Sequence, residues 1–184
     1  LGACACCSLA TNFGDENELA IAYRSAIEGV GRHMQALTVQ FADKTIESGR
    51  YAELSELQEW ELSACPLSTN DITVDADDNQ WLVFETEGRI NQLQLGAGID
   101  AMPVAEPFIK TRQKNPAVAI NSEGDRLIVW GEAISHTRGG RLNMHLFAAD
   151  GSDKNVGFTD EVSIPKFSFP AAAVLPDGNF LVLY

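Results

Sequence analysis

Residues 170–184 read PAAAVLPDGNFLVLY, and the same pattern occurs at residues 116–130 (PAVAINSEGDRLIVW) and residues 70–84 (NDITVDADDNQWLVF). Each copy contains a run of small and β-branched residues, a polar turn, and an apolar run that ends in an aromatic residue. Turns rich in Asp, Asn and Gly supply the positive φ that a tight chain reversal requires. Each copy is therefore predicted to form a β-hairpin.

The hairpins belong to a longer repeat. A fourth copy, residues 7–23 (CSLATNFGDENELAIAY), fits the pattern if its turn is two residues longer. A Gly-Arg pair opens a further strand-like run after three of the hairpins, at residues 31–32, 88–89 and 140–141. Three strands per unit are therefore visible, and a less regular fourth strand fits before the next unit begins.

The spacing of the units indicates the architecture. From 70 to 116 and from 116 to 170 the gap-free copies lie 46 and 54 residues apart, close to the roughly 40–50 residues of a four-stranded propeller blade. Small residues on the first strands suit the crowded axis of a propeller, and the terminal aromatics are expected to fill the space between neighbouring sheets. Those aromatics are Tyr23, Phe84, Trp130 and Tyr184.

One segment departs from the pattern. Tyr51, Leu54, Leu57 and Trp60 are spaced three apart, which is also the spacing of a helical turn. We interpret this segment as a fourth strand with an insertion.

The sequence thus predicts an all-β fold, a β-propeller of four-stranded antiparallel blades. Residues 1–184 are expected to form a single propeller domain of about three to four blades, with repeats that start near residues 7, 70, 116 and 170. Residue 184 closes a second strand that lacks an outer partner, and an open edge of that kind invites aggregation. We therefore expect the chain to be part of a larger propeller, with completion by a second chain as the alternative.

Charge narrows the classes of partner. The chain has 26 Asp and Glu residues against 13 Lys and Arg residues, a formal net charge of −13. Such an acidic chain cannot neutralise a row of phosphates, which argues against nucleic acid and against an anionic membrane surface. No apolar run approaches the length that crosses a bilayer. The composition is typical of an acidic, soluble globular protein.

The four cysteines are expected to meet. Cys4, Cys6 and Cys7 lie at the start of the first repeat, and Cys65 lies just before the first strand of the second repeat. The innermost strands of neighbouring blades start at the same end of a propeller. The repeat register therefore brings all four thiols to one face, although they are far apart in the chain.

Several short motifs carry a family resemblance. The run CACC at residues 4–7, AYR at residues 22–24, Arg32 and WELSACP at residues 60–66 together resemble the cysteine-containing, sialidase-like β-propeller proteins of bacteria. The resemblance covers roughly the first half of the chain. It implies an exported protein, extracellular or periplasmic, that recognises a glycan or another cell-surface ligand.

Two roles for the cysteines remain open. In an exported protein an even number of cysteines is first interpreted as disulfides. Cys6 and Cys7 are adjacent and do not pair easily with each other, so we expect one of them to be linked to Cys65. The alternative is that Cys4, Cys6, Cys7 and Cys65 bind a soft ion such as Cu(I) or Zn(II). No other cofactor is expected.

The resemblance leaves three functions to compare. We favour a ligand- or carbohydrate-binding or scaffold module, with Arg24, His136 and Arg138 as candidate binding residues. An exo-sialidase type of glycoside hydrolase is the alternative, but the Asp-box S-x-D-x-G-x-x-W is absent and no tyrosine–glutamate pair is identifiable, so no catalytic residues are assigned. A metal-binding or redox propeller that uses the cysteines is the third function.

Overall fold

The computed structural model describes residues 2–14, 17–41, 49–107, 111–135, 137–154 and 161–184. Within these ranges the chain is all β, with three four-stranded antiparallel sheets, one two-stranded sheet and no helix. In every sheet the strands follow one another in chain order, so each strand pairs with its sequence neighbour.

Each sheet is built from one repeat. The first sheet contains β1 (Ala10–Phe13), β2 (Glu18–Arg24), β3 (Met34–Phe41) and β4 (Gly49–Gln58). The second contains β5 (Asn70–Val74), β6 (Gln80–Thr86), β7 (Arg89–Gln94) and β8 (Met102–Pro103). The third contains β9 (Gln113–Ile120), β10 (Arg126–Ser135), β11 (Gly139–Phe147) and β12 (Val162–Ile164), and the fourth contains β13 (Ala171–Val174) and β14 (Phe180–Leu183).

The four predicted hairpins are confirmed in their positions. The Asp-Gly and Glu-Gly turns place Gly124 and Gly178 at the same point of their hairpins, each with φ 83°. Glycine adopts this left-handed conformation without a steric penalty. The pairs that define the four hairpins are Ala10–Ala22, Asn70–Phe84, Ala117–Val129 and Ala171–Leu183.

The segment before Trp60 is a strand, as interpreted. β4 pairs with β3 along most of its length, and the register shifts between Met34 and Gln35 and again between Gln40 and Phe41. An extra residue at a β-bulge changes which face the following side chains occupy. The segment with the spacing of three is therefore an irregular strand and not a helical turn.

The central strands pack against a neighbouring sheet on both faces. In β6, Leu82 and Phe84 join the residues of the first sheet in one apolar cluster, whereas Val83 joins residues of the third sheet in another. In β10, Ile128 lies in the second cluster and Val129 in a third cluster with side chains of the fourth sheet. Successive side chains of a strand point to opposite faces, so a strand buried on both faces needs a continuous apolar run.

The first strands of consecutive sheets lie next to one another. β1 contacts β5, β5 contacts β9, and β9 contacts β13. Side chains fasten these strands: Asp71 Oδ2 accepts a hydrogen bond from the backbone N–H of Val118 (3.0 Å), and Asn115 Oδ1 accepts one from that of Thr69 (3.2 Å). The four sheets therefore follow one another with their first strands on a common side.

The terminal aromatics differ in their burial. Tyr23, Phe84 and Trp130 are at most 5% exposed, as expected for side chains between packed sheets. Tyr184 is 50% exposed, so its predicted burial is wrong for the described residues, where no further sheet covers it.

Candidate functional site: a four-cysteine cluster and a neighbouring groove

The first three cysteines lie in a turn beside the end of β2. Ala3 forms a β-bridge with Ser25, and the backbone N–H of Cys4 donates to the carbonyl of Arg24 (2.8 Å). The chain then reverses, with the N–H of Cys7 donating to the carbonyl of Cys4 (3.2 Å). This turn brings the sulfur atoms of Cys4 and Cys7 to within 3.5 Å of each other.

The fourth cysteine, Cys65, lies on the segment that follows β4. This segment is held against the loop between β2 and β3, because the N–H of Arg32 donates to the carbonyl of Trp60 (2.7 Å) and Arg32 Nε donates to the carbonyl of Ala64 (3.2 Å). Cys65 follows directly, just before the chain enters β5. The two cysteine-bearing segments therefore meet where the first strands of neighbouring sheets begin.

All four sulfur atoms lie within 4.8 Å of one another. Cys6 and Cys65 form a disulfide, whereas Cys4 and Cys7 are free thiols. Cys4 Sγ lies 3.4 Å from Cys6 Sγ and 3.8 Å from Cys65 Sγ, so the buried thiol contacts both atoms of the disulfide. The convergence inferred from the repeat register is present, with one bridge between the two segments.

The two free thiols differ from the disulfide in their access to solvent. Cys4 is buried and Cys7 is half-buried, whereas Cys6 lies at the surface. Burial, followed by the hydrogen bond to Cys4 and the charge of Cys4, raises the pKa of Cys7 to about 11. Without a bound cation, Cys7 is therefore a neutral thiol at neutral pH.

Basic side chains surround this cluster. Arg24 is 4% exposed and donates to the carbonyl of Glu85, to Thr86 Oγ1 (3.2 Å) and to the carbonyl of Arg32 (2.8 Å). Burial lowers the pKa of the Arg24 guanidinium, while the charges of Glu85, Cys7 and Cys4 act in the opposite direction. The guanidinium therefore lies within electrostatic reach of two of the thiols.

Lys114 approaches from the third sheet. Its Nζ donates to the carbonyl of Pro66, the residue after Cys65. Burial lowers the pKa of the Lys114 ammonium, and the charges of Glu85 and Cys7 oppose that shift. The chain as a whole has a net charge of −13. Near the four sulfurs, in contrast, it places two partly desolvated cations, Arg24 and Lys114.

Glu85 completes this environment from the second sheet. It is 1% exposed, and its Oε1 accepts a hydrogen bond from the N–H of Gly88 (2.7 Å), whereas Oε2 has no partner among the described residues. Burial raises the pKa of Glu85, and the Gly88 hydrogen bond and the charge of Arg24 reduce the shift.

Two of the three candidate ligand-binding residues, Arg24 and Arg138, lie within the described part of the chain. Arg24 is enclosed between the first and second sheets, where its guanidinium also lies 5.2 Å from the centre of the Trp60 ring. This enclosure disfavours the role of Arg24 as a ligand-contacting residue. Arg138 is exposed on the turn between β10 and β11 and donates from Nε to Ser135 Oγ (3.3 Å). His136 lies outside the described residues.

Sequence reasoning missed Glu85 and Lys114 as neighbours of the cysteines. Both come from other repeats, and charged residues at strand ends are usually solvated. The available signal was positional: Glu85 follows the terminal aromatic of the second hairpin, as Arg24 follows that of the first. Equivalent positions of adjacent sheets meet, so this pair was accessible from the repeat alignment.

A polar groove lies on the other side of the interface between the first and second sheets. Its volume is about 360 Å³. Thr38 of β3 and Glu53 and Ser55 of β4 line one wall, and Asp78 and Gln80 at the β5–β6 turn line the other. Gln80 Nε2 and Glu18 Oε1 join the two sheets across the base at 3.4 Å. The groove therefore presents carboxylates, amides and hydroxyls on two packed sheets.

Comparison with models of known protein families and with curated proteins gives no match for this chain. Among the described residues, no helix has the length and apolar character that crossing a membrane requires.

Proposed function

We propose that the chain forms adjacent blades of an exported, sialidase-like β-propeller that acts as a binding module for a glycan or a similar cell-surface ligand. The four consecutive antiparallel sheets support the propeller architecture, because their first strands lie side by side and their faces are separated by shared apolar layers. Blades that stack radially around an axis have this arrangement. Completion of the propeller by a second chain stays a prediction.

Export is supported by the Cys6–Cys65 disulfide. Disulfides persist in oxidising compartments and are rare where thiol reductants are abundant. The bridge joins two consecutive repeats, so it stabilises the contact between sheets on which the proposed binding groove depends.

The groove between the first and second sheets carries the binding proposal. Its walls combine carboxylates and hydroxyls with the apolar side chains of Leu57 and Leu95. Polyols are recognised by such sets, because carboxylates accept hydrogen bonds from sugar hydroxyls and apolar groups cover the C–H faces. The acidic side chains Glu18, Glu53 and Asp78 repel anions, so the favoured ligand is an uncharged glycan and not a sialoside.

The experiment compares two carboxylates of β4 that differ in the face they occupy. Glu53 lines the groove and pairs in the sheet with Thr38, whereas Glu56 lies on the opposite face and accepts a hydrogen bond from Gln35. Neutral and sialylated oligosaccharides are screened against the intact protein, and affinities are then measured for Glu53→Gln and Glu56→Gln. We expect a neutral glycan to bind, Glu53→Gln to weaken binding by about tenfold, and Glu56→Gln to leave it unchanged.

Other outcomes overturn the proposal. If no oligosaccharide binds, or if both variants lose affinity equally, the groove does not bind a glycan. Turnover of a fluorogenic sialoside by the protein supports the hydrolase instead.

A further inference from the structure

We propose that Cys4, Cys6, Cys7 and Cys65 form a redox-controlled metal site, which binds one soft d10 cation through four thiolates once the Cys6–Cys65 disulfide is reduced. This inference goes beyond the proposed glycan groove and does not depend on it. Within the described part of the chain, these four cysteines are the group of His, Cys, Asp and Glu residues whose ligand atoms converge.

The sulfur atoms already have nearly the spacing of a tetrahedral metal site. Metal–sulfur bonds of about 2.3 Å at tetrahedral angles separate the sulfurs by about 3.8 Å. Cys4 Sγ lies 3.4 Å from Cys6 Sγ, 3.5 Å from Cys7 Sγ and 3.8 Å from Cys65 Sγ. The buried Cys4 thus already has three sulfur neighbours at nearly the edge length of a tetrahedron. The remaining requirement is that Cys6 and Cys65 separate, which reduction of their bond permits.

Nearby cations favour the negative charge of a four-thiolate site. Four thiolates around a monovalent or divalent cation leave a net negative charge that must be stabilised in a partly desolvated site. Arg24 and Lys114 supply positive charge within reach of Cys7, and Lys114 also contacts the carbonyl next to Cys65. The carboxylate of Glu85 reduces the positive potential of these two cations. Thiolate ligands select soft cations such as Cu(I) and Zn(II), so these are the ions to compare.

Solvent access differs among the four cysteines. Cys6 is exposed, so the disulfide can be reached by a reductant, whereas Cys4 lies behind it. A dithiol reductant transfers two electrons and two protons to the Cys6–Cys65 bond and itself becomes a disulfide. The cation then displaces the protons of the four thiols and forms four metal–sulfur bonds. The oxidised protein offers two thiols and cannot form this set.

The test uses the intact protein in both redox states. Thiol counting under denaturing conditions checks the states, with two thiols before reduction and four after it. Zn(II) and Cu(I) are titrated anaerobically in separate arms against chromophoric chelators. We expect one equivalent to bind to the reduced protein and at least about a hundredfold weaker binding to the oxidised protein. Co(II) is expected to give the intense visible bands and sulfur-to-metal charge-transfer bands of a tetrahedral thiolate site.

Two kinds of variant separate the ligands from their surroundings. Cys7→Ser removes one ligand but retains the disulfide, and after reduction it is expected to lose one-equivalent tight binding. Lys114→Gln retains all four sulfurs and is expected to weaken binding by roughly tenfold, as loss of a supporting contact does. The melting temperature gives an independent readout, because a cation that binds the folded state raises it.

The proposal is overturned if the reduced, folded protein binds neither Zn(II) nor Cu(I), or if Cys7→Ser binds as tightly as the wild type. It is equally overturned if neither Zn(II) nor Cu(I) raises the melting temperature of the reduced protein. None of these results bears on glycan binding, which is measured in the groove.

Discussion

Asn70 holds Ser8 with both its backbone and its side chain. The N–H of Asn70 donates to Ser8 Oγ (3.1 Å), and Asn70 Nδ2 donates to the carbonyl of Ser8 (2.9 Å). Asn70 begins β5 and Ser8 precedes β1, so the two residues fix how the first and second sheets meet. Cys7 directly precedes Ser8 and Cys65 lies five residues before Asn70, so this contact helps to hold the two cysteine-bearing segments together.

Replacement of Asn70 by Ala is expected to destabilise the protein by about 2 kcal/mol, because it removes a side-chain hydrogen bond and leaves the carbonyl of Ser8 without this buried donor. Asn12→Ala is the matched control: Asn12 lies on β1, and its Nδ2 is buried without a partner among the described residues. Asn12→Ala should lower the free energy of unfolding by less than about 1 kcal/mol. Urea unfolding measures both, and equal losses would contradict the assigned role of Asn70.

Much of the fold was accessible from the sequence because the repeat constrains it. Turn residues fix where each hairpin reverses, and alternation along two paired strands then leaves little freedom in register. A hairpin over residues 70–84 was predicted in this way, and in the structure Asn70 pairs with Phe84. The meeting of Cys65 with Cys4 follows from the same alignment, since equivalent positions of adjacent repeats become neighbours.

The burial of the charged side chains could not be predicted from the sequence, although the repeat alignment places Arg24 and Glu85 at equivalent positions of adjacent sheets. Arg24 and Glu85 each follow an apolar run and resemble solvated strand ends, yet they are 4% and 1% exposed. Their burial depends on how closely two sheets approach, which side-chain periodicity does not encode. The choice between a disulfide and a metal also depends on distances between sulfur atoms and not on the spacing of cysteines in the chain.

Phe84 tests the packing between the first and second sheets. It is fully buried in a cluster that includes Ala22 and Met34 of the first sheet. Phe84→Ala is expected to cost about 4 kcal/mol, since it combines lost burial with a cavity. Phe167, which is 74% exposed, provides the control, and Phe167→Ala should change stability by less than about 0.5 kcal/mol. Thermal and urea unfolding measure the difference, and a small effect at Phe84 would mean that the two sheets do not share a core.

The disulfide should stabilise the fold independently of any metal. Cys6 and Cys65 are 59 residues apart, and closing a loop of this length restricts the unfolded chain by about 4 kcal/mol in the entropic account. Cys65→Ser, compared without added metal, is expected to lose about 2–4 kcal/mol in urea unfolding. Cys4→Ser removes a thiol outside the bridge and should lose less. If reduction of the wild type leaves its stability unchanged, the bridge does not contribute to folding.

Glu85 should give the stability a recognisable pH dependence. Burial raises its pKa in the folded protein, so the folded state binds a proton more tightly than the unfolded state does. Stability linked to Glu85 therefore rises as the pH falls through the raised folded pKa towards the ordinary carboxyl range, and it decreases again as the pH rises.

Glu85→Gln keeps an acceptor for the Gly88 N–H and removes the ionisation. We expect its advantage in unfolding free energy over the wild type to grow as the pH is raised between about pH 5 and pH 8. Glu87→Gln removes a charge from the same turn at an exposed position and is the control for the loss of one negative charge. Unfolding in urea at a series of pH values compares the three proteins. A parallel pair of curves for Glu85→Gln and the wild type would show that Glu85 is solvated, and the enclosed environment assigned to Arg24 and the cysteines would then be wrong.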